Sequence, residues 1–272
     1  MGRKVKRLGK ANNELEIIYN YFENMYNAFD SESYHKGSFY DEEGNDKIGE
    51  EQLLYFLSEL RGFNAFPSVL SGNDYNNSEN EVFYHGFDEL GYVTKFFDKF
   101  KYHFGAGNYG GGFYVTSGKE NALNYTGSSF FKDFNHNRVC EIKLKNEAKG
   151  IKFSNLLTLS AYLEHGKFGD EINQKDKEKL DCMVAFCRQV PDSELGEELI
   201  RILADNTSAI AVYLGYDFVD MGIVKDHAIE FVNDKLEDVT KHFHHCIILN
   251  RAMIEVNENF LNKYRKIEEL ER

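Results

Sequence analysis

The chain has no tryptophan, only two prolines and four cysteines in 272 residues. Cys140, Cys182, Cys187 and Cys246 fall in no CxxC pair. Three of them lie in apolar company, where a thiol packs as a small core residue. The expected setting is therefore reducing and cytoplasmic. No run reaches the 18 or so apolar residues of a membrane span, so no membrane partner is expected. Positive charge is also short: 32 Lys and Arg against 45 Asp and Glu, a net charge of −13. That balance argues against a surface that wraps a phosphate backbone and leaves small molecules or proteins as the expected partners. The start, Met1-Gly2-Arg3-Lys4-Val5-Lys6-Arg7, is basic without a following apolar stretch, so no signal peptide is expected. Lys6 stands where a myristoylation motif takes Ser or Thr. What is present is length enough to bury a core without disulfides, and 15% aromatic residues, all Phe and Tyr.

Residues 13–29 have helical period, with Leu15, Ile18, Phe22, Met25 and Phe29 on one face. Asn13 and Glu16 suggest a capping box at its start. Residues 30–46 are polar and Gly/Ser/Asp-rich, a loop. A second helix is expected over about 48–61, stopping at Gly62. Ser71-Gly72-Asn73-Asp74-Tyr75-Asn76-Asn77-Ser78 reads as a linker. Residues 1–79 are thus expected to form a helical extension, and 80–272 a second domain. In the latter, Val82–His85, Phe113–Thr116 and Arg138–Leu144 are strand candidates. Ser117 and Glu120 suggest a capped short helix running to Tyr125. Helical period returns over 175–206, broken at Pro191, and a helix over 207–214 ends at Gly215. His245–Leu249 is a buried-strand run, Met253–Val256 follows as a strand, and a charged helix closes the chain. Strands mixed unevenly with helices give the fold class α+β.

The chemistry-bearing stretches are Phe83-Tyr84-His85-Gly86 and Gly110-Gly111-Gly112-Phe113-Tyr114-Val115-Thr116-Ser117, running on to Asn124-Tyr125. Aromatic side chains can clamp a flat ring between them. A Gly offers its N–H and C=O to a carboxamide with no side chain in the way. A His can bond a ribose hydroxyl. Cleavage of a nicotinamide–ribose bond needs these groups, and a carboxylate where positive charge develops.

Phe83–Leu144 resembles the His-Tyr-Glu branch of the ADP-ribosyltransferase superfamily, which includes the poly(ADP-ribose) polymerases and diphtheria-like toxins. His85-Gly86 matches the strand-borne His-Gly, Gly112-Phe113-Tyr114 the Gly-x-Tyr strand, and Tyr125 the second stacking Tyr. Ala122 falls where polymerases carry a Ser contacting the carboxamide. Leu214-Gly215-Tyr216-Asp217, Ile247–Arg251 and Met253–Val256 resemble segments of such domains in phage head-associated and mobile-element proteins. The resemblance implies a split, strongly bent β-sheet ringed by helices. It implies NAD as co-substrate, with His85 on the adenosine-side ribose, Gly86 on the carboxamide, and Tyr114 and Tyr125 stacked on nicotinamide. His85, Tyr114 and His245 are the implied catalytic residues. His245 stands where the family has its catalytic Glu, and Glu141 and Glu255 are acids that could take over that role. The implied activity is mono-ADP-ribosyl transfer to a macromolecule, a protein being the expected acceptor. NAD hydrolysis, or a non-catalytic domain retaining the fold, are the alternatives.

Three other patterns carry less. Gly105-Ala106-Gly107-Asn108-Tyr109-Gly110 matches GxGxxG, but a strand rather than a helix follows it, against a dinucleotide-binding βαβ unit. Lys132-Asp133 reads as part of a solvated face. His242, His244 and Cys246 share a face of an extended strand, yet the outer two would sit roughly 13 Å apart. At most two could reach one ion and another element would have to complete the set, so the sequence by itself assigns no metal site.

Overall fold

The computed structural model describes residues 2–28, 50–87, 97, 111–126, 138–166, 172–232 and 235–271. The expected loop over 30–46, the Gly105–Gly110 stretch and Lys132-Asp133 lie outside these residues. The chain divides into two compact units, one of 1–57 with 154–214 and one of 58–153 with 215–272.

The first unit is helical. It holds α1 (Gly2–Ala28), most of α2 (Glu50–Arg61) and, from the later segment, α5 (Phe153–His165), α6 (Gln174–Cys187), α7 (Ser193–Asp205) and α8 (Thr207–Leu214). Leu15, Ile18 and Phe22 of α1 are buried, the stripe that the three-four spacing marks. Asn13 and Glu16, expected at the helix start, instead lie inside α1, which begins earlier. Tyr19 of α1 meets Phe186 of α6 edge to face, with centroids 6.2 Å apart. The break at Pro191 falls between α6 and α7, and α7 restarts where Asp192 Oδ1 accepts the Leu195 N–H at 3.0 Å. Asn206 caps α8 in the same way through Ala209 N–H, at 2.8 Å.

The second unit is built on one open, mixed eight-stranded sheet, which makes the protein α+β. Its strands are β1 (Ser68–Leu70), β2 (Glu81–Gly86), β3 (Phe113–Thr116), β4 (Val139–Leu144), β5 (Gly150–Lys152), β6 (Phe218–Val232), β7 (Lys235–Ile248) and β8 (Ile254–Asn257). They lie in the order β1-β8-β4-β2-β3-β7-β6-β5. Among the described residues it is accompanied by the α-helices α3 (Gly72–Asn77), α4 (Lys119–Asn124) and α9 (Glu258–Glu271). The expected linker over 71–78 is therefore mostly helix. Its turn-forming residues act as a cap, Ser71 Oγ accepting the Asp74 N–H at 3.2 Å and donating to Asp74 Oδ2 at 2.7 Å. Ser117 does not cap α4 either. Gly118 is the N-cap residue, and Ser117 Oγ accepts the His244 N–H at 3.0 Å, fastening β3 to β7.

Two buried polar knots hold the rear of the sheet. The Lys143 ammonium donates to the carbonyls of Tyr75 (2.5 Å) and Ser78 (2.7 Å) and lies over the Tyr75 ring. Asp217 accepts from Lys149 N–H at 2.8 Å and Asn250 Nδ2 at 2.6 Å. Beside it in sequence, the buried Arg251 guanidinium donates to the carbonyls of Asn64 and Ala65 and covers the Phe66 ring. Asp217, Asn250 and Arg251, singled out by resemblance, are thus placed by fold-holding hydrogen bonds.

Candidate functional site

The sheet is nearly parted between β2 and β3. β2 runs in register with β4 from Glu81↔Leu144 to Gly86↔Val139, and β3 with β7 from Phe113↔Ile248 to Thr116↔His245. Between β2 and β3, among the described residues, the register is Tyr84↔Thr116 alone.

His85 supplies a reason. Phe87 N–H donates to Arg138 O on the β4 side, so by alternation the N–H and C=O of Gly86 point toward β3. Ser117 N–H donates to His244 O on the β7 side, so those of Tyr114 point toward β2. A continued ladder would join Gly86 to Tyr114. Instead His85 Nδ1–H donates to the Tyr114 carbonyl at 2.5 Å. That bond assigns the proton to Nδ1 and makes Nε2 the acceptor nitrogen. The imidazole is steadied by Phe113 (centroids 4.2 Å) and Phe87 (4.5 Å). The Gly86 amide is left turned into the gap. A side chain at Gly86 has no room, because a Cβ would lie 2.1 Å from the Ala122 carbonyl of α4.

Tyr114, Tyr125 and His245 gather on the face that α4 covers. Glu141, Tyr84, Thr116, His245 and Gly222 form one row across β4, β2, β3, β7 and β6. Tyr114, two residues from Thr116, shares this face. The His85 ring lies on the other. Tyr125, just past α4, is half-exposed, and its hydroxyl donates to Asp226 Oδ2 at 2.9 Å.

Asp226 of β6 is the residue that sequence reasoning missed. Asn121 Nδ2 donates to Asp226 Oδ2 at 3.0 Å, and His227 N–H to Oδ1 at 2.8 Å. His245 Nε2 stands 3.6 Å from Oδ2. Burial alone would push the Asp226 carboxyl up, but the bonds from Asn121, His227 and Tyr125, with His245 beside them, hold it below the usual carboxylate range. Burial pushes the His245 imidazole down; Asp226 opposes this and His244 adds to it. Two buried polar atoms here, His245 Nε2 and Asn121 Oδ1, have no hydrogen-bond partner among the described residues. Buried polar atoms are normally satisfied, so this pair marks a place where a polar ligand would gain bonds.

The other two acids sit elsewhere. Glu141 is three strands from His245 in the row, about 14 Å at sheet spacing. Glu255 of β8 accepts from Ser78 Oγ (3.0 Å) and Asn80 Nδ2 (2.8 Å). The structure thus joins His85 to Tyr114, and Tyr125 to His245 through Asp226, and keeps Glu141 and Glu255 apart from both. Asp226 carried no sequence signal, since Lys225-Asp226-His227 reads as one more mixed charge run.

No protein-family model, curated protein or solved structure matches this chain. Among the described residues no helix is long and apolar enough to cross a membrane.

Proposed function

We propose that the chain is an NAD-dependent mono-ADP-ribosyltransferase with a protein as acceptor. The observation that carries the reading is the gap between β2 and β3, where the His85–Tyr114 bond leaves the Gly86 N–H and C=O directed inward. That pair can hold a carboxamide, which needs one donor and one acceptor in line. Tyr114 and Tyr125 supply ring faces, and His85 Nε2 can accept from a ribose hydroxyl. Asp226, held ionised beside neutral His245, supplies the carboxylate that the sequence lacks at position 245. In this scheme Asp226 stabilises positive charge as the bond from the anomeric carbon to nicotinamide breaks. The bonding electrons leave with the ring as a neutral amide. The acceptor nucleophile then bonds the same carbon and gives up its proton.

One pair of observations favours the non-catalytic alternative. The absent side chain at Gly86 is already required by α4, and the Tyr125 hydroxyl already bonds Asp226. Nicotinamide release from NAD, with and without a lysate as acceptor source, separates the readings. Transfer predicts release that needs lysate and falls on the order of 100-fold or more in Asp226→Asn, the loss typical of an electrostatic group. Release without lysate would indicate hydrolysis or automodification. No release, with no NAD-dependent thermal shift, would refute the enzymatic reading.

A further inference from the structure

On the face of β7 that His245 does not occupy, three groups of metal-binding type converge. Asp220 of β6 is the register partner of Cys246, and His244 is two residues before Cys246 on β7. One ligand atom from each lies within 4.8 Å of the others. His244 Nε2 is 2.9 Å from Asp220 Oδ1, and Cys246 Sγ is 3.7 Å from His244 Nε2. Around a tetrahedral zinc ion, ordinary bond lengths put a nitrogen and an oxygen ligand about 3.3 Å apart and a nitrogen and a sulfur about 3.6 Å apart. Two of the three separations are thus within a few tenths of an ångström of that geometry, and the third, from Asp220 to Cys246, is within 4.8 Å.

We propose that Asp220, His244 and Cys246 bind a zinc ion. His242, on the same face of β7, cannot at strand spacing reach the ion that Cys246 holds. Asp220 completes the set from the neighbouring strand instead. A bulge puts it there: the register slips between Asp220 and Gly222, and Gly222 takes a φ of +73°, a conformation that suits glycine. Gly222 N–H donates to Asp220 Oδ1 at 2.8 Å and fixes the carboxylate. The other nitrogen, His244 Nδ1, is 3.5 Å from Glu81 Oε1 of β2. A carboxylate on the far ring nitrogen is the arrangement that orients a zinc-bound imidazole and raises its basicity. Cys246 is buried, while Asp220 and His244 are partly open, so the fourth position faces solvent and takes water.

The donor set selects the metal. One thiolate, one imidazole and one carboxylate suit zinc, whereas calcium and magnesium would want oxygen alone. Binding converts the Cys246 thiol to thiolate, its proton going to solvent, and uses the lone pair of His244 Nε2 while the ring proton sits on Nδ1, toward Glu81. The ion would tie β6 to β7 at the bulge, directly behind His245, and so hold the register on which that side chain depends.

Cobalt(II) and zinc(II) salts added singly to the metal-free full-length chain test the site. Wild type should bind one equivalent of cobalt, giving a thiolate-to-cobalt charge-transfer band and tetrahedral ligand-field bands that zinc abolishes. Cys246→Ser should lose the charge-transfer band and Cys182→Ser should keep it. His244→Gln and Asp220→Asn change no core volume; they should lose stoichiometric binding while their metal-free circular dichroism matches wild type. Glu81→Gln should weaken binding about 10–100-fold. Absence of the band in wild type, its persistence in Cys246→Ser, or unchanged affinity in both His244→Gln and Asp220→Asn would overturn the assignment. These readouts involve no NAD, so they succeed or fail independently of the transferase reading.

Discussion

Replacing Gly86 by alanine should destabilise the sheet unit by steric pressure. The added Cβ would lie 2.1 Å from the Ala122 carbonyl oxygen and 3.1 Å from Thr126 Cγ2. The first contact is with backbone, so no side-chain rotation relieves it. To restore an ordinary contact α4 must back away by about 1 Å, and such overpacking costs roughly 1–3 kcal/mol. For a unit of this size each kcal/mol moves the melting temperature by about 2–4 °C, so a fall of roughly 2–12 °C is expected. The same displacement would draw Asn121 and Tyr125 off Asp226, because both ride on the α4 segment. Differential scanning calorimetry gives the first number, and the NMR titration of Asp226 reports the second through a rise toward the ordinary carboxylate range. A melting temperature within about 1 °C of wild type would refute the reasoning, since even the lower cost exceeds that.

Asp226→Asn should lower stability near neutrality. The folded carboxyl is held below its unfolded value, so its contribution is complete above about pH 4 and is lost as pH falls through the folded value. The gap between wild type and variant in urea melts should therefore narrow in acid; a gap that widens would contradict the assignment. Asp217→Ala strands the Lys149 N–H and the Asn250 amide and should cost roughly 2–5 kcal/mol by chemical denaturation, against under about 1 kcal/mol were the bonds incidental. In the helical unit, Leu199→Ala removes a buried side chain of α7 and should cost about 2–5 kcal/mol by the same measurement.

Where one periodic face meets one core, the sequence was readable. α1, α6 and α7 carry stripes at helical spacing, and Pro191 marks a true break because the residues after it carry their own cap at Asp192. β4 reads as a strand because Cys140, Ile142 and Leu144 alternate with charged neighbours, and β2 and β3 read as short apolar runs. α5 was missed because Phe153–His165 is apolar on several sides, a pattern that suits a buried strand as well as a helix. The β6–β7 hairpin was missed over most of its length. Ile223 is largely exposed although apolar, and Lys225, Asp226 and His227 interrupt any alternation. The Ser71–Ser78 stretch shows a different failure, since the residues that make turns also cap helices, and only Tyr75, buried, distinguishes the two.

The candidate site was legible only in its short motifs. The resemblance singles out His85-Gly86 and Tyr114 together, but nothing in it marks the His85–Tyr114 carbonyl bond that opens the ladder. The carboxylate was harder, because it comes from a strand whose register is set by a bulge. Were β6 to pair with β7 without the bulge, every residue beyond Asp220 would pair one position further along β7 and turn to the opposite face. Asp226 would then turn away from His245. The same bulge lets Asp220 meet Cys246 while Asp226 meets His245 on the reverse side, so one irregularity determines both polar clusters. Neither cluster can be derived from β7 alone, although His244, His245 and Cys246 are adjacent. In an extended strand adjacency sends neighbours to opposite faces, and the partner strand decides which of them acquire chemistry.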